Sequence, residues 1–386
     1  MDDQRQSQPQ IQITVDHAPT KDAAQPHCEP LTIIIRRSSS LILTKFHAGH
    51  FRISLSLCSQ VLLWKTLGEP TNDAHAFRRV LSMLPSTAFV FLWSLALFTL
   101  LSQSLVYTLR CLFRFEMVKN EFFNHVGVNY LFAPWISWLL LLQSSRFIVP
   151  STISYQVLWF ASVIPIVVLD IKIYGQWFTK GPRLLSTMAN PASQLSVIGN
   201  FAAARAAAQM GWRECALCMF SLGITHYLVL FVTLYQRLSG SSGLPVMLRP
   251  VFFLFIATPS IASLAWESIS GNFDVSSKML FFLSLFLFMS LVCRPALFKR
   301  SMRKFNVAWW AYPFPLTVLA VASTKYAQEV RGGRAHGLML LLSLLSVLVS
   351  LALLIITALT SNIYVLTSHK LASSPVQTPN PPGIPR

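Results

Sequence analysis

Residues 339–359 read MLLLSLLSVLVSLALLIITAL, and residues 312–317, one segment upstream, read YPFPLT. The first stretch is 21 residues without a charge, enough to cross the hydrocarbon core of a bilayer as one helix. The second sits in an equally apolar segment but carries two prolines, Pro313 and Pro315. Proline removes a backbone donor and frees carbonyls, which inside a membrane need protein or water as partners. A smooth helix can face lipid; an interrupted one belongs in the interior, around a cavity.

Working outward from that pair, ten apolar segments of about 20 residues follow one another. They cover roughly 49–68, 88–112, 127–146, 153–174, 192–211, 214–236, 248–268, 275–297, 305–325 and 337–361. The second, fourth, eighth and tenth read as plain lipid-facing helices. The third carries Pro134 in FAPW, the seventh Pro259 in ATPS, and the ninth the two prolines above. The fifth, SVIGNFAAARAAAQMG, is rich in small residues that allow close backbone approach. Short connections join each odd segment to the next even one. The expected fold is therefore an all-α integral membrane protein with ten transmembrane helices in five helical hairpins. The odd helices lie inside around a central pore.

Composition agrees. Of 386 residues, 53% are hydrophobic and only 12% are charged, about half the charged share of a soluble domain. The net charge of +17 does not indicate nucleic acid, because the cations sit in short loops between apolar runs. With both termini placed in the cytosol, twenty Lys and Arg fall on that side, nine on the other and two, Arg52 and Arg205, within spans. That asymmetry obeys the positive-inside rule. The domain reading is a polar, disordered N-terminal segment at 1–44, the membrane domain at 45–365 and a Pro-rich tail at 366–386. The polar N-terminus, MDDQRQSQPQ, does not read as a cleavable signal peptide, so the first span is expected to direct insertion.

No catalytic constellation is legible. The 14 acidic residues lie mostly in loops and termini, and G-x-S-x-G, HExxH and P-loop patterns are missing from the sequence. Asp170 and Glu267 lie near span ends without an acidic partner. His226 is alone in its span, and Cys215/Cys218 form a CxxC spacing that no second pair or neighbouring histidine completes. Enzyme function, cofactors and a metal site are not expected. An interior expected to be without carboxylates and flanked by cytosolic Lys and Arg favours an anion over a cation path. Arg52, near the start of its span, either snorkels to the interface or faces the cavity. Arg205, near mid-span, either lines the path or pairs with helix carbonyls and polar neighbours.

SQVLLWKTL (59–67), VNYLFAPW (128–135), LDIKIYGQW (169–177), MANPASQLSVIGNF (188–201), THYLVLFVTLYQRL (225–238) and FNVAWWAYPFPLT (305–317) together resemble the plant slow-type (S-type) anion channels. These are relatives of bacterial tellurite-resistance/C4-dicarboxylate transporters. The resemblance covers about 46–365, and HAGHFRISLSLCSQ is similar to the first span of guard-cell slow anion channel homologues with short N-termini. It implies a trimer, with a pore in each subunit closed by a phenylalanine of the ninth span, here Phe314. A second aromatic of the third span is replaced by the smaller Leu140. Basic residues near the inner mouth match Lys119, Arg183 and Arg294, and the position after Lys119 is Asn120 where arginine is common in the family. About 45 residues precede the first span, fewer than in the phosphoregulated members. Control by a partner subunit is therefore expected. The RRSSS run at 36–40 is either a kinase acceptor or a basic membrane-proximal linker.

The resulting expectation is a passive channel for small inorganic anions, chloride or nitrate, in the plasma membrane, as a homotrimer or a heterotrimer with related subunits. Partners are lipid, the permeating anions and, where the RRSSS run is read as a kinase acceptor, a protein kinase, with no nucleic acid. The alternatives are a modulatory subunit of a mixed trimer and a carrier of malate or other dicarboxylates.

Overall fold

The computed structural model describes residues 43–69, 86–179, 189–239, 246–295, 299 and 305–373. Residues 1–42 lie outside the described range. The disordered segment expected at 1–44, the RRSSS run and Arg183 therefore lie wholly or largely outside the described residues.

All regular structure among the described residues is helical. The helices are α1 (Arg52–Leu67), α2 (Ser86–Phe113), α3 (Phe115–Phe123), α4 (Gly127–Tyr130), α5 (Phe132–Ser144) and α6 (Ile153–Thr179). There follow α7 (Gln194–Gln209), α8 (Arg213–Ser239), α9 (Leu254–Ser270), α10 (Val275–Val292), α11 (Pro313–Val330) and α12 (Gly333–Ser373). Among the described residues, seven helical segments are long and apolar enough to cross a membrane, and an eighth arises if α3 and α4–α5, bent by 104°, count as one.

Five helices make a closed ring. α1 packs on α5, α5 on α7, α7 on α9, α9 on α11, and α11 back on α1. Each also packs on the helix that follows it in the chain: α1 on α2, α5 on α6, α7 on α8, α9 on α10 and α11 on α12. Burial separates the two groups. The apolar windows around α9 and α11 are 78% and 89% buried, whereas those of α2, α6, α8, α10 and α12 lie between 22% and 39%. α1 and α7 have 16 residues each and polar faces, and nearly all their side chains are buried. Shielded from lipid, such helices need little hydropathy, which is why a hydropathy criterion passes over them.

One local device recurs at the start of the inner helices. A polar side chain in extended backbone caps a short turn, and the α-helix continues from it. His47 accepts from Gly49 N–H before Ala48–Phe51, Asn190 from Ala192 N–H before Pro191–Ser193, and Asn306 from Ala308 N–H before Val307–Ala311. Asn124 accepts from Val126 and Gly127 N–H ahead of α4. Each cap satisfies backbone donors that a helix leaves orphaned. The sequence carried this repeat, as HAGHF, NHVGV, NPAS and NVAWW, but its spacing is too irregular to stand out without coordinates.

Two expectations need correction. Proline does not mark inner helices alone: Pro165 lies inside α6, which follows the ring helix α5. Nor is the interior free of carboxylates, because Asp170 on α6 turns inward, 5% exposed, against the Asn200 amide of α7. The close approach of α7 and α8 depends on Gly223, where a Cβ would stand 2.7 Å from the buried Phe201 ring.

Candidate functional site

Phe314 is the second residue of α11 and is 1% exposed. The chain around it is held from both sides by α1. Ser56 Oγ donates to the Trp310 carbonyl at 3.1 Å, and Gln60 Nε2 donates to Thr317 Oγ1 at 2.8 Å. Gln60 also reaches Ser346 Oγ and Ser350 Oγ on α12, both at 2.7 Å. Thr317 Oγ1 in turn donates to the Pro313 carbonyl at 2.7 Å. Trp310 Nε1 donates to Thr357 Oγ1 at 3.1 Å, and Tyr312 packs edge-on against Phe253. The turn carrying Phe314 is thus tied to α1, to α12 and to Phe253 just ahead of α9.

Leu140, on α5, is likewise buried at 2% exposure. Lys119 is exposed on α3 and pairs with Glu116 at 3.6 Å, and Arg294 is exposed just past the end of α10. No contact joins either of them to Phe314 among the described residues, so the structure does not gather the three into one cluster.

The two ends of the ring are both cationic. At the N-terminal ends of the inner helices Arg52 is buried within the protein. Its Nε donates to the Gly49 carbonyl at 2.8 Å and its guanidinium lies 4.7 Å from the Tyr130 ring centre, an attractive cation–π geometry. Beside it Arg110 pairs with Glu121 at 3.2 Å and donates to the Phe46 carbonyl, while Glu121 Oε1 accepts the Ala48 N–H at 2.7 Å. Arg110, Glu121 and Tyr130 border a cavity of about 540 Å³ lined also by His47, Asn124 and His125. Burial and the nearby Arg52 and Arg110 charges, with His50 alongside, push the His47 imidazole down to about 4. Burial raises the Glu121 carboxyl, against the opposing pull of the Ala48 amide and Arg110. Sequence reading missed this cluster, because α3 is short and Ala48, whose N–H Glu121 accepts, is 73 residues away.

At the other end, Arg205 is 6% exposed and donates through Nη1 to Gln143 Oε1 at 3.2 Å. Of the two alternatives for Arg205, a polar neighbour is therefore present. Gln143 is fixed in turn, its Nε2 donating to the Ala202 carbonyl at 2.9 Å. Lys65 donates to the carbonyls of Gln143 and Ser145, at 2.7 and 3.3 Å. Lys325 bridges Glu69 and Glu267, each at 3.5 Å. No group of three or more metal-binding side chains exists among the described residues.

A ring of buried helices, sheathed by apolar ones and cationic at both ends, defines a multi-pass membrane protein with a guarded axis. Residues 45–358 match the family model described as voltage-dependent anion channel, and the chain belongs to that family. It is 59% identical over 320 residues to the S-type anion channel SLAH1 of Arabidopsis thaliana, covering 83% of each chain. It is 56% identical over 333 residues to the S-type anion channel SLAH4 of the same plant, covering 86% of this chain and 88% of that one. The guard cell S-type anion channel SLAC1 of Arabidopsis thaliana is 42% identical over 323 residues, covering 82% of this chain and 56% of its own. The resemblance read from the motifs thus holds, and the family is one of channels, not enzymes.

Proposed function

We propose that the chain is a passive channel for small inorganic anions, chloride or nitrate, in the plasma membrane, with both termini cytosolic. Its conducting axis runs inside the ring of α1, α5, α7, α9 and α11, with Phe314 as the closure and Leu140 as a second, smaller constriction. The observation that carries this reading is the placement of Phe314: buried in the ring and held above and below by α1, with Arg52 toward one end of the ring and Lys65 and Arg205 toward the other. An apolar ring side chain in a narrow passage blocks hydrated ions sterically and by dewetting.

On this reading the chain crosses the bilayer ten times. The broken segment through α4 and α5 counts once, and the short α1 and α7 cross because their entry turns extend them. Five hairpins result, and the subunit assembles as a trimer. Lys119, Arg183 and Arg294 act at the cytosolic mouth by raising local anion concentration. Arg205 lines the outer half of the path.

The test is voltage-clamp recording of the chain and of Phe314→Ala, alone and coexpressed with a full-length relative. An enlarged anion current in Phe314→Ala supports the gate. Currents that change only in the mixture would point to the modulatory subunit. Saturable, proton-coupled flux without unitary steps would point to the dicarboxylate carrier.

A further inference from the structure

The C-terminal ends of the ring helices carry more positive charge than their own carboxylates neutralise. Lys65 ends α1, Arg146 follows α5, Arg205 lies in the last turns of α7 and Lys325 in those of α11. Lys65 lies within electrostatic reach of Arg205, Glu69, Arg146 and Lys325. Both carboxylates of the group, Glu69 and Glu267, are taken by Lys325. Arg146 lies over the Phe89 ring at 4.2 Å. Among the described residues, neither Lys65 nor Arg205 has a carboxylate within ion-pair distance.

Arg205 is the more demanding of the two. It is buried, its Nε is without a hydrogen-bond partner, and one amide oxygen of Gln143 is its only acceptor among the described residues. A buried cation lacking a counter-ion is strongly unfavourable, and two such cations near one another add repulsion. Lys65 is partly relieved by two carbonyls at the C-terminus of α5, where the helix dipole is negative. Among the described residues nothing relieves the Arg205 Nε–H.

We infer that Lys65 and Arg205, braced by Gln143, form a binding site for one monovalent inorganic anion at the outer end of the ring. The site rests on the proposed anion path and adds to it a defined stopping place. Its planar, donor-rich guanidinium suits an oxyanion such as nitrate as well as a halide. The Lys325–Glu69–Glu267 bridge sets its strength by keeping both carboxylates away from the two unpaired cations.

The experiment uses the full-length protein in lipid nanodiscs, with chloride or nitrate titrated against gluconate at constant ionic strength. Thermal stability of the wild type should rise and saturate, as for any ligand that binds the folded state. Arg205→Gln and Lys65→Gln should raise the half-saturating concentration by about tenfold each, or ~1.4 kcal/mol. Arg205→Lys should retain part of the response. Glu267→Gln, which leaves Lys325 less compensated, should lower the half-saturating concentration. An unchanged value in Glu267→Gln together with an unchanged or absent response in Arg205→Gln and wild type alike would overturn the site. If Arg205→Gln fails to fold, Lys65→Gln and Glu267→Gln, with their opposite expected signs, decide alone. Anion flux through Phe314→Ala in liposomes is measured beside it. Flux without anion-dependent stabilisation removes the site and leaves the channel; stabilisation without flux does the reverse.

Discussion

Gln60 is the residue on which the geometry around Phe314 turns. Its amide nitrogen ties α1 to Thr317 on α11 and to Ser346 and Ser350 on α12, all in the buried interior. Replacing it with leucine leaves those hydroxyls one donor short, at a cost of about 1–3 kcal/mol for a buried unsatisfied group. Gln60→Leu should therefore lower the melting temperature in detergent and raise basal anion leak, because the turn carrying Phe314 loses its anchor. A stable protein with wild-type leak would show that α1 does not brace the closure.

His47 gives a residue-scale prediction about pH. Its folded value lies at about 4, below the ordinary 6.5, so between those values the unfolded chain binds a proton that the folded chain refuses. Its contribution to stability is thus present above pH 6.5 and lost as pH falls toward 4. His47→Asn keeps a capping side chain of the kind found at 190 and 306. It should flatten this part of the stability profile in thermal denaturation between pH 4 and 7. Glu121, whose carboxyl is raised, acts in the opposite direction as it takes up its proton, and it remains in the variant as an internal control.

Among elements, the α7–α8 contact is the tightest. A methyl at position 223 would meet the Phe201 ring at 2.7 Å, and that ring is fully buried beside Phe220 and cannot swing clear. Gly223→Ala should cost about 1–3 kcal/mol by overpacking, and trimming the opposing ring with Phe201→Leu should recover part of it. A double-mutant cycle by thermal melting, with no coupling between the two positions, would refute the close packing. How far each element could be read from the sequence follows the same physics. α12 and α10 were legible because lipid demands unbroken hydropathy. α9 and α11 were legible as interior helices from Pro259, Pro313 and Pro315. α3 was not, since a nine-residue helix with exposed Phe115 and Phe123 has no span-length signal. The partners of Arg205 and Gln60 were not legible either, because they lie 62 and 257 residues away in the chain.

For the whole molecule, the division of labour between ring and sheath explains the composition. The sheath supplies the hydropathy and the ring supplies buried hydroxyls, amides and cations, so polar residues in this chain are concentrated where lipid cannot reach them. On the proposed function, a path built this way is anion-selective through its fixed positive ends and closed through the Phe314 side chain. Current through single channels in a planar bilayer, wild type against Phe314→Ala under a chloride or nitrate gradient, tests this most directly. The account predicts that the variant carries a larger anion-selective current, with reversal potentials that follow the anion gradient. An unchanged current in a preparation that conducts, or a current that follows the cation gradient, would contradict it.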